Sequence, residues 1–219
     1  MATAPTMNWP LFGLTVRTDE VTLRYPDDEM LLELSDLAAA GIHDEGFMPF
    51  AMPWSREPQP ELQRKALQFH WRCRAETTPE SFRIPLAAFV DGELIGTSDL
   101  FATSFPTLRQ FETGSWLGRE FQGRGHGTAM RRATLALGFD GLGAERALTG
   151  AWEDNAASLG VTRKLGYSEQ GHRWGDREGT ATRLVGFEMD RSDFDAIRPT
   201  SVEFTGLDDA REFLGITAD

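Results

Sequence analysis

A glycine-rich segment between a predicted strand and a predicted helix constrains this chain more than any other feature of its sequence. Glycine stands at positions 123, 125 and 127, and alternate glycines remove Cβ atoms where a backbone must approach another group closely. The N-terminus of the following helix supplies unpaired N–H groups and the positive end of the helix dipole, which together suit a phosphate group. We interpret the segment as a phosphate-binding loop, with a mobile glycine-rich turn as the alternative.

Hydrophobic periodicity predicts a mixed α/β chain around this loop. Apolar residues recur at helical spacing over about residues 28–41 and about residues 60–76. The Asp91-Gly92 pair accepts the positive φ angles of a hairpin turn and joins two strands. The predicted strands are Leu86–Val90, Glu93–Phe101, Gln110–Leu117, Arg146–Trp152 and Thr182–Met189, with further helices near about 125–139 and about 155–165. Antiparallel strands followed by alternating strands and helices indicate one mixed sheet.

The composition excludes several classes of protein. The 219 residues carry 22 Lys and Arg against 34 Asp and Glu, a formal charge of −12, which disfavours nucleic acid as a partner. Neither a membrane span nor a signal peptide is found, so no membrane partner is expected. The single cysteine, Cys73, excludes an internal disulfide and fits the cytoplasm. No metal is expected, because the histidines form no ligand motif, and His70 beside Cys73 is interpreted as core packing.

Two motifs together carry a family resemblance. The dinucleotide pattern G-x-G-x-x-G fails because Thr128 stands at its third glycine, and G-x-x-x-x-G-K-[ST] is absent. The pattern Gln122-x-x-Gly125-x-Gly127 instead resembles the pyrophosphate-binding signature of the GNAT acyl-CoA N-acyltransferases. Downstream, Asn155-Ala-Ala-Ser158 and Lys164-Leu165-Gly166-Tyr167 resemble the N-x-x-S and K-x-G-[FY] segments of that superfamily. The likeness is strongest to its RimJ/RimL-like branch, in particular to actinobacterial members of unassigned substrate.

This resemblance implies the GNAT fold. The expected architecture is α/β (α+β), a mixed twisted sheet of about six or seven strands with helices on both faces and splayed central strands. A single acyltransferase domain is expected over residues 1–198, followed by a C-terminal extension, 199–219, that docks on the domain or contacts a partner. An acidic helical candidate, Asp208–Leu214, lies in that extension. Because GNAT proteins often dimerise, we expect a homodimer.

The resemblance also implies a site for acetyl-CoA or another acyl-CoA, with succinyl-CoA as one candidate. The pantetheine arm is expected to lie alongside the strand before the loop, against the backbone of Trp116 and Leu117, with core packing as the alternative role of Trp116. The Asn155 amide is expected to hold the arm, with plain capping of its helix as the alternative. The pyrophosphate is expected on the loop backbone, with Arg124 adding charge; the loop residues are Gln122, Gly123, Arg124, Gly125, His126, Gly127 and Thr128.

Acyl transfer to an amine also needs an acid and a base. The resemblance assigns the acid to Ser158, whose hydroxyl would protonate the departing thiolate. Our candidate base is Glu112, on the same predicted strand face as Trp116, with a surface or salt-bridged carboxylate as the alternative. RimL-like enzymes carry a glutamate on the strand after the Gly-[FY] segment, whereas alignment from Tyr167 puts Arg177 there. That departure leaves the identity of the base open.

The sequence therefore predicts an N-acyltransferase that moves an acetyl or succinyl group from acyl-CoA to a primary amine by direct attack in a ternary complex. The acceptor is an amine-bearing small molecule or a protein N-terminus, since an acidic surface attracts cations. Its pocket walls are expected from two loops, His43–Glu57 and Gly171–Gly179. The alternative function is a catalytically weak acyl-CoA-binding or sensor module.

Overall fold

The computed structural model describes residues 4–216, apart from the side chains of residues 4 and 5, as one mixed sheet with helices on both faces. The strands are β1 (Thr15–Thr18), β2 (Thr22–Arg24), β3 (Ser81–Val90), β4 (Glu93–Thr103), β5 (Gln110–Leu117), β6 (Arg146–Trp152), β7 (Ser168–Arg177), β8 (Thr180–Asp190) and β9 (Val202–Thr205). The α-helices are α1 (Ala4–Asn8), α2 (Asp28–Ala40), α3 (Glu61–Ala75), α4 (Phe105–Leu108), α5 (His126–Ala136), α6 (Ala156–Lys164), α7 (Arg191–Asp195) and α8 (Leu207–Phe213).

The sheet opens at its centre, between β5 and β6. The strand order is β7-β8-β6-β5-β4-β3-β2-β1-β9, and every neighbouring pair is antiparallel except β5–β6. That parallel pairing extends only from Gln110↔Arg146 to Glu112↔Leu148. We call the opening between residues 113–117 of β5 and 149–152 of β6 the wedge. The predicted splay of the central strands is confirmed.

Helices cover the two faces of the sheet because each presents an apolar side to it. The helix α5 buries Ala133 and Leu135 in the largest core cluster, together with the inner residues of β3 to β6. On the other face, Leu31 and Leu34 of α2 pack against Ala87 of β3. Burial of each leucine contributes roughly 1.5–3 kcal/mol to folding.

Most central elements match the sequence-based prediction. The strands Gln110–Leu117 and Arg146–Trp152 are confirmed at both ends, and α2 and α3 lie within the predicted helical ranges. The predicted helix over about 125–139 ends as an α-helix at Ala136 and continues as a π-helical turn, Leu137–Gly141. The strand predicted from Leu86 begins earlier, at Ser81. The prediction began too late because Pro85, inside the strand, is a residue that rarely occurs in strand interiors.

The prediction of a loop over Gly171–Gly179 is wrong. Residues 168–177 form β7, which pairs with β8 as far as Arg177↔Thr180. Its side chains are almost all exposed, so no alternation of apolar and polar residues marks it as a strand. With the short strands β1, β2 and β9, each of three or four residues, the described sheet has nine strands instead of six or seven.

The segment after residue 198 adds to the far edge of the sheet. The strand β9 pairs antiparallel with β1, from Thr15↔Thr205 to Thr18↔Val202. The chain then turns into α8, where Ala210 and Leu214 are fully buried. Within residues 4–216, no helix is both long and apolar enough to cross a membrane.

Candidate active site

The glycine-rich loop follows β5 and leads directly into α5. Gly123 and Gly125 adopt φ angles of 73° and 89°, and a Cβ at either position would meet nothing within 4 Å. Residues with side chains are strained at such angles, so glycine is required for this turn. The amides of Thr128 and Ala129 both donate to the carbonyl of Gly125, at 3.0 and 3.1 Å. The N–H groups at the start of α5 have no partner within the helix, and unpaired N–H groups at a helix N-terminus suit a phosphate.

The side chain of Gln122 holds this loop in place. Its Nε2 donates to the carbonyls of Ile42, after α2, and Leu117, at the end of β5, at 2.8 and 2.9 Å. The side chain therefore ties the loop to two elements, while the loop backbone remains directed outward. Arg124 is exposed at the tip of the loop, and His126 is half-buried at the first residue of α5.

The loop, the end of β5 and α6 meet at the mouth of the wedge. A Cβ on Gly127 would lie 3.8 Å from Leu117 and 3.7 Å from Val161 of α6. At the start of α6, Asn155 is buried, and its Oδ1 accepts a hydrogen bond from the amide of Ser158 at 3.1 Å. Asn155 thus caps its helix, which is the alternative role given for it above. The capping bond uses only Oδ1, so the side-chain N–H groups of Asn155 can bind another partner. Ser158 is half-buried in the first turn of α6.

Trp116 is a packing residue of the opposite sheet face. It is partly buried against the clusters formed by α2 and α3, and its ring lies 6.2 Å from that of Trp54. The alternative role predicted for this side chain is therefore confirmed. Contacts through its backbone remain compatible with that packing. Leu117, by contrast, is buried on the α5 side of β5.

A buried polar cluster lies at the closed end of the wedge, and no pattern in the sequence predicts it. Arg131 of α5 donates to Thr149 Oγ1 of β6 at 3.2 Å and to Ser115 Oγ of β5 at 3.1 Å. Thr149 Oγ1 donates in turn to the carbonyl of Thr113 at 3.1 Å. Tyr167 lies against this group, and burial raises the pKa of its phenol. An arginine in the middle of an amphipathic helix usually lies on the exposed face, so the sequence pattern of α5 did not indicate that Arg131 is buried.

Two carboxylates occupy the sheet face that carries Trp116. Glu112 pairs across strands with Phe101 and is exposed. Asp99 of β4 pairs with Gly114, so it shares this face, yet only 15% of its side chain is exposed. Burial raises the pKa of Asp99 to about 6, although Arg83, 3.7 Å away, opposes the shift. A Cβ on Gly114 would meet nothing within 4 Å, which leaves space beside Asp99.

The two segments predicted as pocket walls contact each other. Arg56 of the segment 43–57 forms an ion pair of 2.8 Å with Glu178, in the β7–β8 turn. Arg177 pairs with Asp154 at 2.7 Å and stacks 4.8 Å from the ring of Phe47. Arg177 therefore links the two walls. Of its acidic neighbours, Glu178 makes the ion pair, and Asp176 accepts a hydrogen bond from the amide of Gly179 at 2.7 Å.

His70 and Cys73 are both buried on α3. Burial lowers the pKa of His70 to about 4 and raises the pKa of the Cys73 thiol to about 12. An uncharged imidazole and an unionised thiol are suited to packing rather than to nucleophilic chemistry. No group of three or more His, Cys, Asp and Glu side chains able to hold a metal ion occurs in the part of the chain that the structure describes.

The chain thus combines a mixed sheet that opens between the parallel strands β5 and β6 with a glycine-rich loop at the mouth of that opening. The family description "Acetyltransferase (GNAT) domain" matches residues 21–168, more than half of the chain. The chain therefore belongs to the GNAT acetyltransferase family.

Solved structures share this fold at low sequence identity. RimJ of Mycobacterium smegmatis in complex with CoA-disulfide has a TM-score of 0.67 and 19% identity, over 84% of this chain and 90% of RimJ. RimL, a ribosomal L7/L12 alpha-N-protein acetyltransferase in complex with coenzyme A, has a TM-score of 0.63 and 17% identity, over 79% of this chain and 95% of RimL. A spermidine N-acetyltransferase SpeG chimera from Vibrio cholerae and hSSAT has a TM-score of 0.64 and 16% identity, over 80% of this chain and 98% of the chimera.

Proposed function

We propose that this protein is an N-acyltransferase that moves an acetyl or succinyl group from acyl-CoA to a primary amine by direct attack in a ternary complex. The observation that carries the proposal is the position of the glycine-rich loop at the mouth of the wedge, where Gly127 approaches both Leu117 and Val161. A cofactor whose pyrophosphate lay on this loop could extend its arm between β5 and β6. The CoA complexes of RimJ and RimL support the same cosubstrate.

The binding roles follow from this placement. The loop backbone, Gln122 to Thr128, would hold the pyrophosphate, and the exposed Arg124 would add charge. The edge of β5 that faces the wedge, near Trp116 and Leu117, would bind the arm as an added strand. The Asn155 amide would hold the arm from the other side of the wedge, using the N–H groups that its cap leaves over.

Catalysis would use one acid and one base. Ser158 would protonate the thiolate of CoA as it leaves. Glu112 and Asp99 are both candidates for the base that takes a proton from the attacking amine. Asp99 is favoured by its burial and by a pKa of about 6, close to the working pH of a general base.

The acceptor would be a protein N-terminus or an amine-bearing small molecule. RimL acts on a ribosomal protein and SpeG on spermidine, so structures of this fold accept amines of both kinds. A net charge of −12 favours a cationic acceptor in either case. We further propose that the protein works in the cytoplasm as a homodimer, and that it needs no metal.

Calorimetric titration with CoA and acetyl-CoA tests the cofactor site. Gly125→Asp should abolish binding, because it adds a side chain and a negative charge where the pyrophosphate would lie. Gly92→Asp is the matched control: Gly92 also has a positive φ, 83°, and open space, but it lies in the β3–β4 turn, outside the glycine-rich loop. We expect the control to bind CoA as the wild type does. Unchanged affinity in Gly125→Asp, or no binding by the wild type, would overturn the proposal.

An amine assay then separates turnover from binding alone. Release of CoA thiol is followed with acetyl-CoA or succinyl-CoA and either spermidine or a peptide with a free N-terminus. Turnover with either acceptor supports the transferase. Micromolar binding without turnover on any amine would instead support the acyl-CoA-binding or sensor module.

A further inference from the structure

Arg131 is a buried cation without an anion. Only 4% of the residue is exposed, and its two hydrogen bonds go to the neutral hydroxyls of Ser115 and Thr149. Its Nε atom is buried with no hydrogen-bond partner, and no carboxylate pairs with it among residues 4–216. Burial of an unpaired charge costs several kcal/mol, so natural proteins rarely retain one.

Other buried groups around this guanidinium also have unused hydrogen-bonding capacity. The hydroxyls of Thr113 and Tyr167 are buried and make no hydrogen bond within the described chain. Burial raises the pKa of the Tyr167 phenol, while the Arg131 charge and side-chain hydrogen bonding with Thr113 and Arg131 lower it, so these three side chains are close enough to pair weakly with one another. Three donors, the Arg131 Nε, the Thr113 hydroxyl and the Tyr167 hydroxyl, therefore gather in one small volume.

This volume lies at the closed end of the wedge. The last paired residues of β5 and β6 are Glu112 and Leu148, and Thr113 and Thr149 follow them directly. The glycine-rich loop lies at the other end of the same stretch of β5, after Leu117. An extended arm that ran from the loop back along β5 would cover roughly 13 Å to Thr113. It would end at the Arg131 cluster, so the group carried at the tip of the arm is the one that this cluster would contact.

The charge of the cluster selects among acyl groups. An acetyl group ends in a methyl, which offers nothing to a guanidinium. A carboxylate would pair with Arg131 through charge-assisted hydrogen bonds and accept further bonds from the hydroxyls of Thr113 and Tyr167. It would thereby supply the anion that the folded chain lacks.

We propose that the closed end of the wedge binds a carboxylate at the end of the acyl chain, so that the preferred donor is a short dicarboxylic acyl-CoA such as malonyl-CoA or succinyl-CoA. The inference rests on the proposed function and narrows its donor. Arg131 is the residue that determines specificity. The transfer chemistry is unchanged: the amine displaces the CoA thiolate at the thioester carbonyl, and the distal carboxylate takes no part in the reaction.

The test compares the affinities of four ligands, CoA, acetyl-CoA, malonyl-CoA and succinyl-CoA, for three proteins by calorimetry. The proteins are the wild type, Arg131→Met and the control Arg132→Met. Arg132 is the next residue of α5, but its side chain is directed away from the wedge and pairs with Glu20 at 2.9 Å. We expect the wild type and the control to bind malonyl-CoA or succinyl-CoA at least tenfold more tightly than acetyl-CoA. Arg131→Met should lose that preference while its affinity for CoA and acetyl-CoA changes less than threefold.

The outcomes separate this inference from the proposed function. Binding of CoA and acetyl-CoA by the wild type without a preference for carboxylated donors overturns the inference alone. An equal loss of affinity for all four ligands in Arg131→Met also overturns it, because the residue would then serve the arm or the fold. Failure of CoA itself to bind overturns both proposals. Arg131→Lys, which keeps the charge, should retain part of the preference and serves as the second variant if Arg131→Met does not fold.

Discussion

Asp99 and Glu112 share a sheet face, but their environments differ enough to distinguish their roles. Glu112 is exposed, whereas only 15% of the Asp99 side chain is exposed, and Asp99 lies near Cys73 of α3 and beside the open space at Gly114. Desolvation raises the pKa of Asp99 from 3.8 to about 6. Ionised Asp99 therefore destabilises the folded state, by about 3 kcal/mol above pH 6, a penalty that fades as the pH falls and the group is protonated. A carboxylate kept at such a penalty is a candidate for function.

Asp99→Asn is expected to lower kcat/KM by about 100-fold or more if Asp99 is the base. The acceptor amine itself must lose a proton, so activity rises with pH in any case. Ionisation of Asp99 should add one further unit to the slope of log kcat/KM below about pH 6, and Asp99→Asn should remove it. Steady-state rates between pH 5 and 8 measure both effects.

The control for this experiment is Glu112→Gln, which should keep kcat/KM within about threefold of the wild type. Asp99→Asn should also unfold at a temperature no lower than the wild type at pH 8, because it removes a buried charge. If Glu112→Gln lost the activity and the extra slope while Asp99→Asn kept them, the base would be Glu112, as its position on β5 first indicated.

Among the elements, the start of α6 carries one side chain, Asn155, that would link stability to cofactor binding. Asn155 caps the helix through Oδ1, and its remaining amide N–H groups are proposed to hold the pantetheine arm. Aspartate keeps the cap but replaces those donors with a second acceptor, whereas alanine removes both. The two substitutions therefore separate the two roles.

Asn155→Ala is expected to lower the free energy of unfolding by about 1 kcal/mol and to weaken CoA binding. Asn155→Asp should unfold with the wild-type midpoint but bind CoA at least tenfold more weakly. Chemical denaturation and calorimetry give the two readouts. Wild-type affinity in Asn155→Asp would show that this residue only caps its helix.

The β7–β8 hairpin shows how much an element can depend on its partners. Almost every side chain of β7 is exposed, and the strand exists because its backbone pairs with β8 over its whole length. At its turn, Glu178 pairs with Arg56, and Arg177 packs on Phe47. The hairpin thus closes one side of the candidate acceptor site together with the segment 43–57.

In the molecule as a whole, the last described elements join the same sheet as the candidate cofactor site. Four residue pairs connect β9 to β1, and Phe213 of α8 contacts Trp9 with ring centroids 4.9 Å apart. Leu214 is 1% exposed within the largest core cluster. These contacts lead us to propose that residues 199–216 unfold together with the rest of the chain.

Leu214→Ala is expected to lower the global free energy of unfolding by about 2–5 kcal/mol, as large-to-small changes in a core do. The neighbouring variant Glu212→Ala, at an exposed position, should change it by less than about 0.5 kcal/mol. Denaturant unfolding followed by tryptophan fluorescence measures both. A separate early transition in Leu214→Ala, with the main midpoint unmoved, would mean that the C-terminal segment folds independently.

Elements with local signals could be predicted from the amino-acid sequence alone. The glycine spacing around Gly125 and the Asn155 cap depend on backbone geometry within a few residues, and the strands β5 and β6 carry their pattern in their own side chains. The motifs that carry the family resemblance are of this kind. The same local character explains why the predicted boundaries of β5 and β6 agree with the structure residue by residue.

Features that depend on residues far apart in the chain became visible only in the folded structure. Arg131 on α5 and Asp99 on β4 are charged residues, which sequence patterns assign to a surface, and their burial follows from the strands and helices packed over them. The strand β7 and the edge strand β9 exist through pairing partners rather than through their own pattern. Burial and strand pairing are long-range properties, so the charge within the wedge and the candidate base near α3 emerged only when the chain was folded.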